Sequence, residues 1–248
     1  GGADPYTHTF TPQTAGGFWA TFWKSIGGSV IQRQRFADCR ISSLTIEGST
    51  SSKVVTVTPT IVCLDPAEVI SADPVTAFST DNPFLYTEGE GAYSIDGSVF
   101  RGQSQFQITW NENLTPIYGD SVLAYDLATG EPGIDIATTI YLDSAGLQRY
   151  NSLIYGTASP TATTKPVKYL PANGSYGFTV TGRDNAGPLT PAREFGLTIP
   201  GVKWSPGLAV PANPSGGAAE IALAGEVRKS GSNALSTVTV KCGDAAYT

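Results

Sequence analysis

Histidine, cysteine and paired carboxylates are the side chains most able to do chemistry, and here they are scarce or badly placed. His8 is the only histidine in 248 residues, so a Ser-His-Asp triad would rest on it alone. It lies in a polar N-terminal stretch that reads as solvated or as part of an interface. Glu88 and Glu90 flank one glycine and could supply the two carboxyls of glycoside hydrolysis; a solvated loop is the plainer reading. Asp65, Asp73 and Asp81 share a loop but lack the spacing of a calcium loop. No zinc-protease helix motif, paired C-x-x-C, nucleophile elbow or phosphate loop occurs. Cys39, Cys63 and Cys242 are odd in number and far apart, which gives neither a disulfide framework nor a zinc site. The expectation is three buried, reduced thiols and a chain that folds in a reducing cytoplasm, with no leader segment at its start.

Arg33, Arg35 and Arg40 form the one basic concentration in a chain of formal charge −6. Such a cluster in acidic surroundings is expected to pair carboxylates within or between subunits. The acidic balance argues against a tight phosphate binder. No apolar run approaches the roughly 20 residues of a membrane-spanning helix, so no membrane partner is expected. Nothing in the sequence calls for a cofactor.

The elements that carry these residues read as strands. In 103–110, Phe106, Ile108 and Trp110 alternate with Gln105, Gln107 and Thr109. In 53–63, Val55, Val57, Ile61 and Cys63 alternate with Thr56, Thr58 and Thr60; Pro59 there marks an edge or a broken pairing. Residues 134–142 set Ile134, Ile136, Ile140 and Leu142 against Asp135, Thr139 and Tyr141. Further strands are expected at 176–181, 194–199, 220–227 and 235–242. The polar tip at 48–52 makes 39–63 a hairpin. Asp96-Gly97 signals a second one. A parity change at Ser42-Ser43 points to a bulge. Long loops are expected at 64–100 and 112–133.

Two short helices are expected. Phe18, Trp19, Phe22, Trp23 and Ile26 fit a helical stripe between glycine pairs, and either core packing or docking on a neighbour would use it. The other begins at Asp143 or Ser144 and stops at Gly156. The fold class is all-β with one or two short helices: an antiparallel β-sandwich. An N-terminal arm over 1–36 carries the aromatic helix, and 37–248 form the main domain.

The order of these segments resembles a known family. Asp38-Cys-Arg-Ile-Ser-Ser-Leu-Thr-Ile-Glu47 turns into Lys53-Val-Val-Thr-Val-Thr-Pro-Thr-Ile-Val62. Ser104-Gln-Phe-Gln-Ile-Thr-Trp-Asn-Glu-Asn-Leu114 follows, then a long loop. Ile134-Asp-Ile-Ala-Thr-Thr-Ile-Tyr-Leu142 comes next, with a helix directly after it, and Thr237-Val-Thr-Val-Lys-Cys242 closes the chain. This resembles the major tail tube protein of long-tailed, siphophage-like bacteriophages over roughly residues 36–248. The resemblance implies hexameric rings stacked into a hollow tube. The inner sheets of six subunits would join into one continuous β-barrel, and genomic DNA would leave through the lumen on infection. It implies a virion tail protein assembled in the host cytoplasm. Its partners would be its own copies, the tape-measure protein, the tail terminator, the distal tail proteins and double-stranded DNA in transit.

On that reading the polar strand faces line the lumen: Ser43, Thr45 and Glu47; Thr56, Thr58 and Thr60; Gln105, Gln107 and Thr109; Asp135, Thr139 and Tyr141. None of these positions is Lys or Arg. Subunit contacts are expected from Phe18, Trp19, Phe22 and Trp23 of the arm and from Ile117 and Tyr118 of the 112–133 loop. Two rival readings are a secreted carbohydrate-binding β-sandwich using Trp110, Trp204 or tyrosines, and a β-rich glycoside hydrolase using Glu88 or Glu90.

Overall fold

In a computed structural model of the chain, the described residues are 6–11, 19–26, 32–52, 54–65, 68–71, 92–95, 98–99, 102–120, 123–165, 174–181, 183–184, 187–188, 194–206, 219–228 and 232–242. They form seventeen strands and one helix. Strands β1 (Tyr6–Phe10) and β2 (Ala20–Ile26) precede an 18-residue strand β3 (Gln32–Ser49). Then come β4 (Thr56–Cys63), β5 (Glu68–Ile70), β6 (Ala92–Ile95), β7 (Ser98–Val99) and β8 (Gln103–Asn111). Strands β9 (Leu114–Tyr118), β10 (Ala124–Thr129) and β11 (Gly133–Tyr141) lead into helix α1 (Ser144–Tyr155). The remainder is β12 (Gly174–Thr181), β13 (Arg183–Asp184), β14 (Gly187–Pro188), β15 (Glu194–Pro206), β16 (Glu220–Val227) and β17 (Thr237–Cys242). Every pairing is antiparallel.

One wall of the fold runs β4-β3-β8-β11-β16-β15. Alternation is clearest in the first half of β11, where Ile134 and Ile136 are buried while Asp135 and Ala137 are exposed. The apolar face packs Ile46, Phe106, Ile108, Ile136, Ile221 and Leu223 against a second layer that holds Tyr176, Leu197 and Ile199. Strand β15 belongs to both layers. Its first half pairs with β17 and its second half with β16, along the same edge. The crossing falls at Pro200-Gly201, where the register with β12 skips between Tyr176 and Gly174. An extra residue bends a strand in this way.

Just past the bend, Trp204 sits beside Tyr176, ring centroids 6.1 Å apart and edge-on. Gly225 of β16 makes room for it: a Cβ there would meet Val202 Cγ1 at 2.5 Å and Trp204 Cε3 at 3.1 Å. A buried polar chain also ties the layers, as Gln103 Nε2 donates to Tyr176 Oη at 2.7 Å and to Thr138 Oγ1.

Helix α1 starts and stops where expected. Asp143 Oδ1 accepts from Gly146 N at 2.7 Å, and Gly156 takes φ 70° as its N–H reaches Ser152 O at 3.0 Å. Tyr150, Leu153 and Ile154 seal the core. Strands β8, β11, β12, β16 and β17 fall on the expected segments, as do the 39–63 hairpin and the 93–99 pair. Among the described residues strand β4 pairs with β3 alone and is an edge, one of the two outcomes expected from Pro59. The expected bulge appears as a register shift between Ile41 and Ser43.

Three expectations are corrected. The aromatic stretch is not a helix: 20–26 form β2, in ladder with β3. Aromatic residues favour strands, and β3 offers an edge that satisfies the backbone. The 112–133 segment is not irregular, because β9 and β10 pair within it as a hairpin. The cysteines are not all reduced thiols: Cys39 and Cys63 form a disulfide. They lie directly opposite in the β3–β4 ladder, with Cys39 fully buried.

Candidate functional site: a base-poor polar wall

The outward face of the wall is built from cross-strand rungs, because residues opposite each other in register share a face. One rung runs Thr56, Glu47, Gln107, Ala137, Ala224, Ser205. The next runs Thr58, Thr45, Thr109, Asp135, Glu226, Lys203. Beyond it lie Thr60, Ser43, Asn111 and Gly133. On the other side are Ser49, Gln105, Thr139 and Ala222. Tyr141 lies opposite Glu220.

Side-chain bonds knit the rungs. Thr45 and Thr109 hydroxyls meet at 3.2 Å, and Gln105 Nε2 donates to Thr139 Oγ1 at 2.8 Å. Glu47 accepts from Gln107 Nε2 at 3.1 Å and from Thr56 Oγ1 at 3.4 Å. All twelve residues expected from the sequence to share one polar face therefore do so. The face is dished at its centre, with a depression of about 370 Å³ over the small side chains of Ala137, Ala224 and Ser205.

The sequence reading missed the last two strands of the wall. Their alternation was legible in Glu-Ile-Ala-Leu-Ala-Gly-Glu-Val, but which face Ala222, Ala224 and Glu226 take depends on pairing with β11. These strands bring the one lysine of the rungs. Lys203 lies opposite Glu226, and the same carboxylate accepts from Arg228 Nη2 at 2.7 Å. The other carboxylates, Glu47, Asp135 and Glu220, are exposed.

The expected contact residues lie away from this wall. Trp19 and Trp23 are 45% and 46% exposed, and Phe22 is half-buried opposite Phe36. Phe18 lies outside the described residues. Tyr118 is 63% exposed at the end of β9, with Ile117 half-buried before it. Leu123, Tyr125 and Val69 are exposed as well; sequence reasoning passed over them because 64–71 and 119–126 showed no periodicity.

Two of the three clustered arginines, Arg35 and Arg40, pair carboxylates within the chain. Arg35 binds Glu68 across β3–β5. Arg40 is buried, with Nη2 3.9 Å from Glu112 Oε2, Nη1 donating to Thr129 Oγ1 at 3.1 Å, and its guanidinium 5.7 Å from the Trp19 ring.

Among the described residues no geometry adds support to the chemical alternatives. Glu88, Glu90, Asp73 and Asp81 lie outside the described residues, whereas Asp65 is exposed. Among the described residues no three His, Cys, Asp or Glu side chains gather to hold a metal. His8 stands in β1 opposite Val240. Trp204 is buried, and half-buried Trp110 donates Nε1–H to Ser236 Oγ at 3.0 Å, so neither offers an open stacking face.

No curated protein matches the chain. Residues 1–217 match the protein family described as phage tail tube protein, a structural family and not an enzyme family. With an antiparallel, almost all-β fold and that match over most of its length, the chain belongs to the phage tail tube family.

Proposed function

We propose that the chain is the repeating subunit of a tail tube through which phage DNA leaves the virion. Hexameric rings stack, and the wall β4-β3-β8-β11-β16-β15 turns its polar face to the lumen. The observation that carries this reading is the composition of that face. Its rungs hold hydroxyls, amides, alanines and carboxylates, and the one lysine stands opposite a carboxylate. A conduit for DNA must not retain it, and clustered Lys or Arg would do so through counterion release. The apolar face is spent on the core, so the polar face is free for the channel. Joining sheet edges around a ring also removes an exposed edge such as β4, which otherwise invites aggregation.

The remaining parts follow from this placement. Trp19, Phe22 and Trp23, with Ile117 and Tyr118, contact neighbouring copies. The tape-measure protein occupies the lumen during assembly in the host cytoplasm, and the tail terminator and distal tail proteins cap the two ends. Negative-stain microscopy of the purified protein tests the reading. Rings or tubes with a central hole are expected; compact monomers at high concentration would overturn it.

A further inference from the structure

Strand β3 is 18 residues long, and its two halves keep different company. Ser43 to Glu47 lie in the wall between β4 and β8. Arg33 to Arg35 lie between β2 and β5, whose substantial contacts are with β3 only. Small sheets that stand apart from a core are marginal in water.

Between the halves both edges of β3 lose register. On one edge Ala20 pairs with Cys39 and Phe22 with Phe36, so a step of two residues in β2 spans three in β3. On the other edge Cys39 pairs with Cys63 and Arg35 with Glu68, so a step of four residues in β3 faces five. Asp38 sits at this break with φ 47°, one of two non-glycine residues at positive φ among the described residues. Such a backbone persists only where its surroundings impose it, and it gathers at switch regions.

The Cys39–Cys63 disulfide lies directly against the break. Cys39 follows Asp38, and Leu64, next after Cys63, donates its N–H to the Asp38 carbonyl oxygen at 3.1 Å. Three segments cross the break, and the bond ties two of them together. Only residues 64–67 separate it from β5. The third segment is held otherwise: Trp19, just before β2, lies 5.7 Å from the guanidinium of Arg40, which is anchored to Glu112 and Thr129.

The two sulfurs differ in access. Cys39 is fully buried, whereas Cys63 is half-buried. Cys39 Sγ also lies 3.3 Å from the Ala37 carbonyl oxygen, so a thiol at this position has an acceptor inside the protein. The site accommodates both redox states.

We infer that the Cys39–Cys63 pair is a redox latch on a hinge at Ala37-Asp38. Closed, it fixes the small sheet of β2, β5 and the first half of β3 against the wall; open, it lets that sheet swing. Opening is exchange with a small-molecule thiol such as glutathione. Its thiolate attacks the reachable Cys63 sulfur, a mixed disulfide forms, and the protein S–S bond breaks as Cys39 leaves. The Cys39 thiolate takes up the proton that the attacking thiol gave up. A second thiol then attacks the mixed disulfide and releases the Cys63 thiol. The protein bond gains two electrons, and two small thiols are oxidised to one disulfide. Closing is the reverse, with the small-molecule disulfide as oxidant. A reducing cytoplasm holds such a latch open, and oxidising surroundings close it. The latch belongs to the single chain and needs no second copy, so it stands or falls apart from the tail-tube reading.

Limited trypsin digestion of the native protein, with and without excess dithiothreitol, tests the latch. Cleavage after Lys24 and Arg35, in the small sheet, is compared with cleavage after Arg149 of α1 and Lys203 of β15. Cleavage follows the population of the locally open form, so the reduced protein should be cut about tenfold faster at the first two sites. The last two should be unchanged. Cys39→Ser/Cys63→Ser protein should match the reduced one without reductant. Brief exposure to reduced glutathione, followed by acid quenching and peptide mapping, should place the adduct on Cys63. Equal acceleration at all four sites would overturn the inference, since the bond would then be a general staple. So would unchanged cleavage in the small sheet, a native bond that dithiothreitol cannot open, or an adduct on Cys39.

Discussion

Removing the Cys39–Cys63 bond should lower thermal stability measurably while leaving the fold intact. The two residues are 24 apart in sequence. In the chain-entropy account, cross-linking a loop of that size destabilises the unfolded state by about 3.5 kcal/mol. For a chain of this length each kcal/mol corresponds to roughly 2–4 °C, so a Cys39→Ala/Cys63→Ala protein should melt about 7–14 °C lower. The native ladder from Cys39 to Glu47 persists in the variant because its partners Thr56 to Cys63 are held by backbone pairing. Calorimetry of variant and wild type without reductant gives the shift. Thiol labelling in denaturant gives the independent check: one reactive thiol before reduction and three after it. Three thiols before reduction would refute the bond, and a shift under about 2 °C would refute the loop-entropy reasoning.

Thr58→Lys should slow DNA ejection more than Gln107→Lys, with tubes still forming in both. A lysine at 107 would sit beside Glu47, whereas the rung of Thr58 has only threonines on the next two strands; ejection rates at several salt concentrations would rank them, and equal rates would contradict the electrostatic argument. Gly225→Ala should cost about 1–3 kcal/mol by overpacking, since its Cβ would lie 2.5 Å from Val202 Cγ1; denaturant unfolding reads this directly. Burial, with the nearby Tyr155 phenol adding to it, raises the pKa of Tyr150 above its ordinary 10.0. The folded state then holds the phenol proton more tightly than the unfolded one, so this stability is present below pH 10 and is lost as pH rises through the folded-state value. Tyr150→Phe should flatten that alkaline limb in pH-dependent melting curves.

The wall was legible because its strands announce themselves. Ile134 to Ala137 and Gln105 to Trp110 alternate cleanly, so the faces of Gln107 and Asp135 followed from parity alone, whereas the bulge between Gln103 and Gln105 was not legible. The aromatic arm was not legible, because Trp19, Phe22 and Trp23 satisfy a helical stripe as well as a strand, and only the long-range edge of β3 decides between them. The disulfide illustrates a finer limit. Between Glu47 and Ser43 the hairpin register would set Cys39 opposite Leu64. The bulge at Ser42 moves the pairing by one residue and brings Cys39 opposite Cys63. The sequence showed the bulge and the hairpin separately, but an odd cysteine count and a wide spacing hid their joint consequence. Likewise, 112–133 carries Pro, Gly and acidic residues that read as loop, yet Asn113 at φ 49° turns the chain so that its carbonyl accepts from Gly130 N at 3.1 Å and closes the hairpin base.

Repulsion is the weaker half of the proposed channel's electrostatics. A carboxylate and a phosphate 4 Å apart in water interact by only about 1 kcal/mol, and salt screens them beyond about 10 Å. Glu47, Asp135 and Glu220 therefore do little to DNA that runs along the axis. What matters is the contact when DNA touches the wall. A phosphate that meets Thr45, Thr58 or Thr109 finds hydroxyls already engaged with each other or open to water. Near Lys203 it meets a base set opposite Glu226, the carboxylate that also holds Arg228. Counterion release needs cations that are free to be exchanged for the phosphate. A wall that sets its one rung lysine opposite a carboxylate offers little such gain, and that condition is set by register across β15 and β16, not by the net charge of the chain.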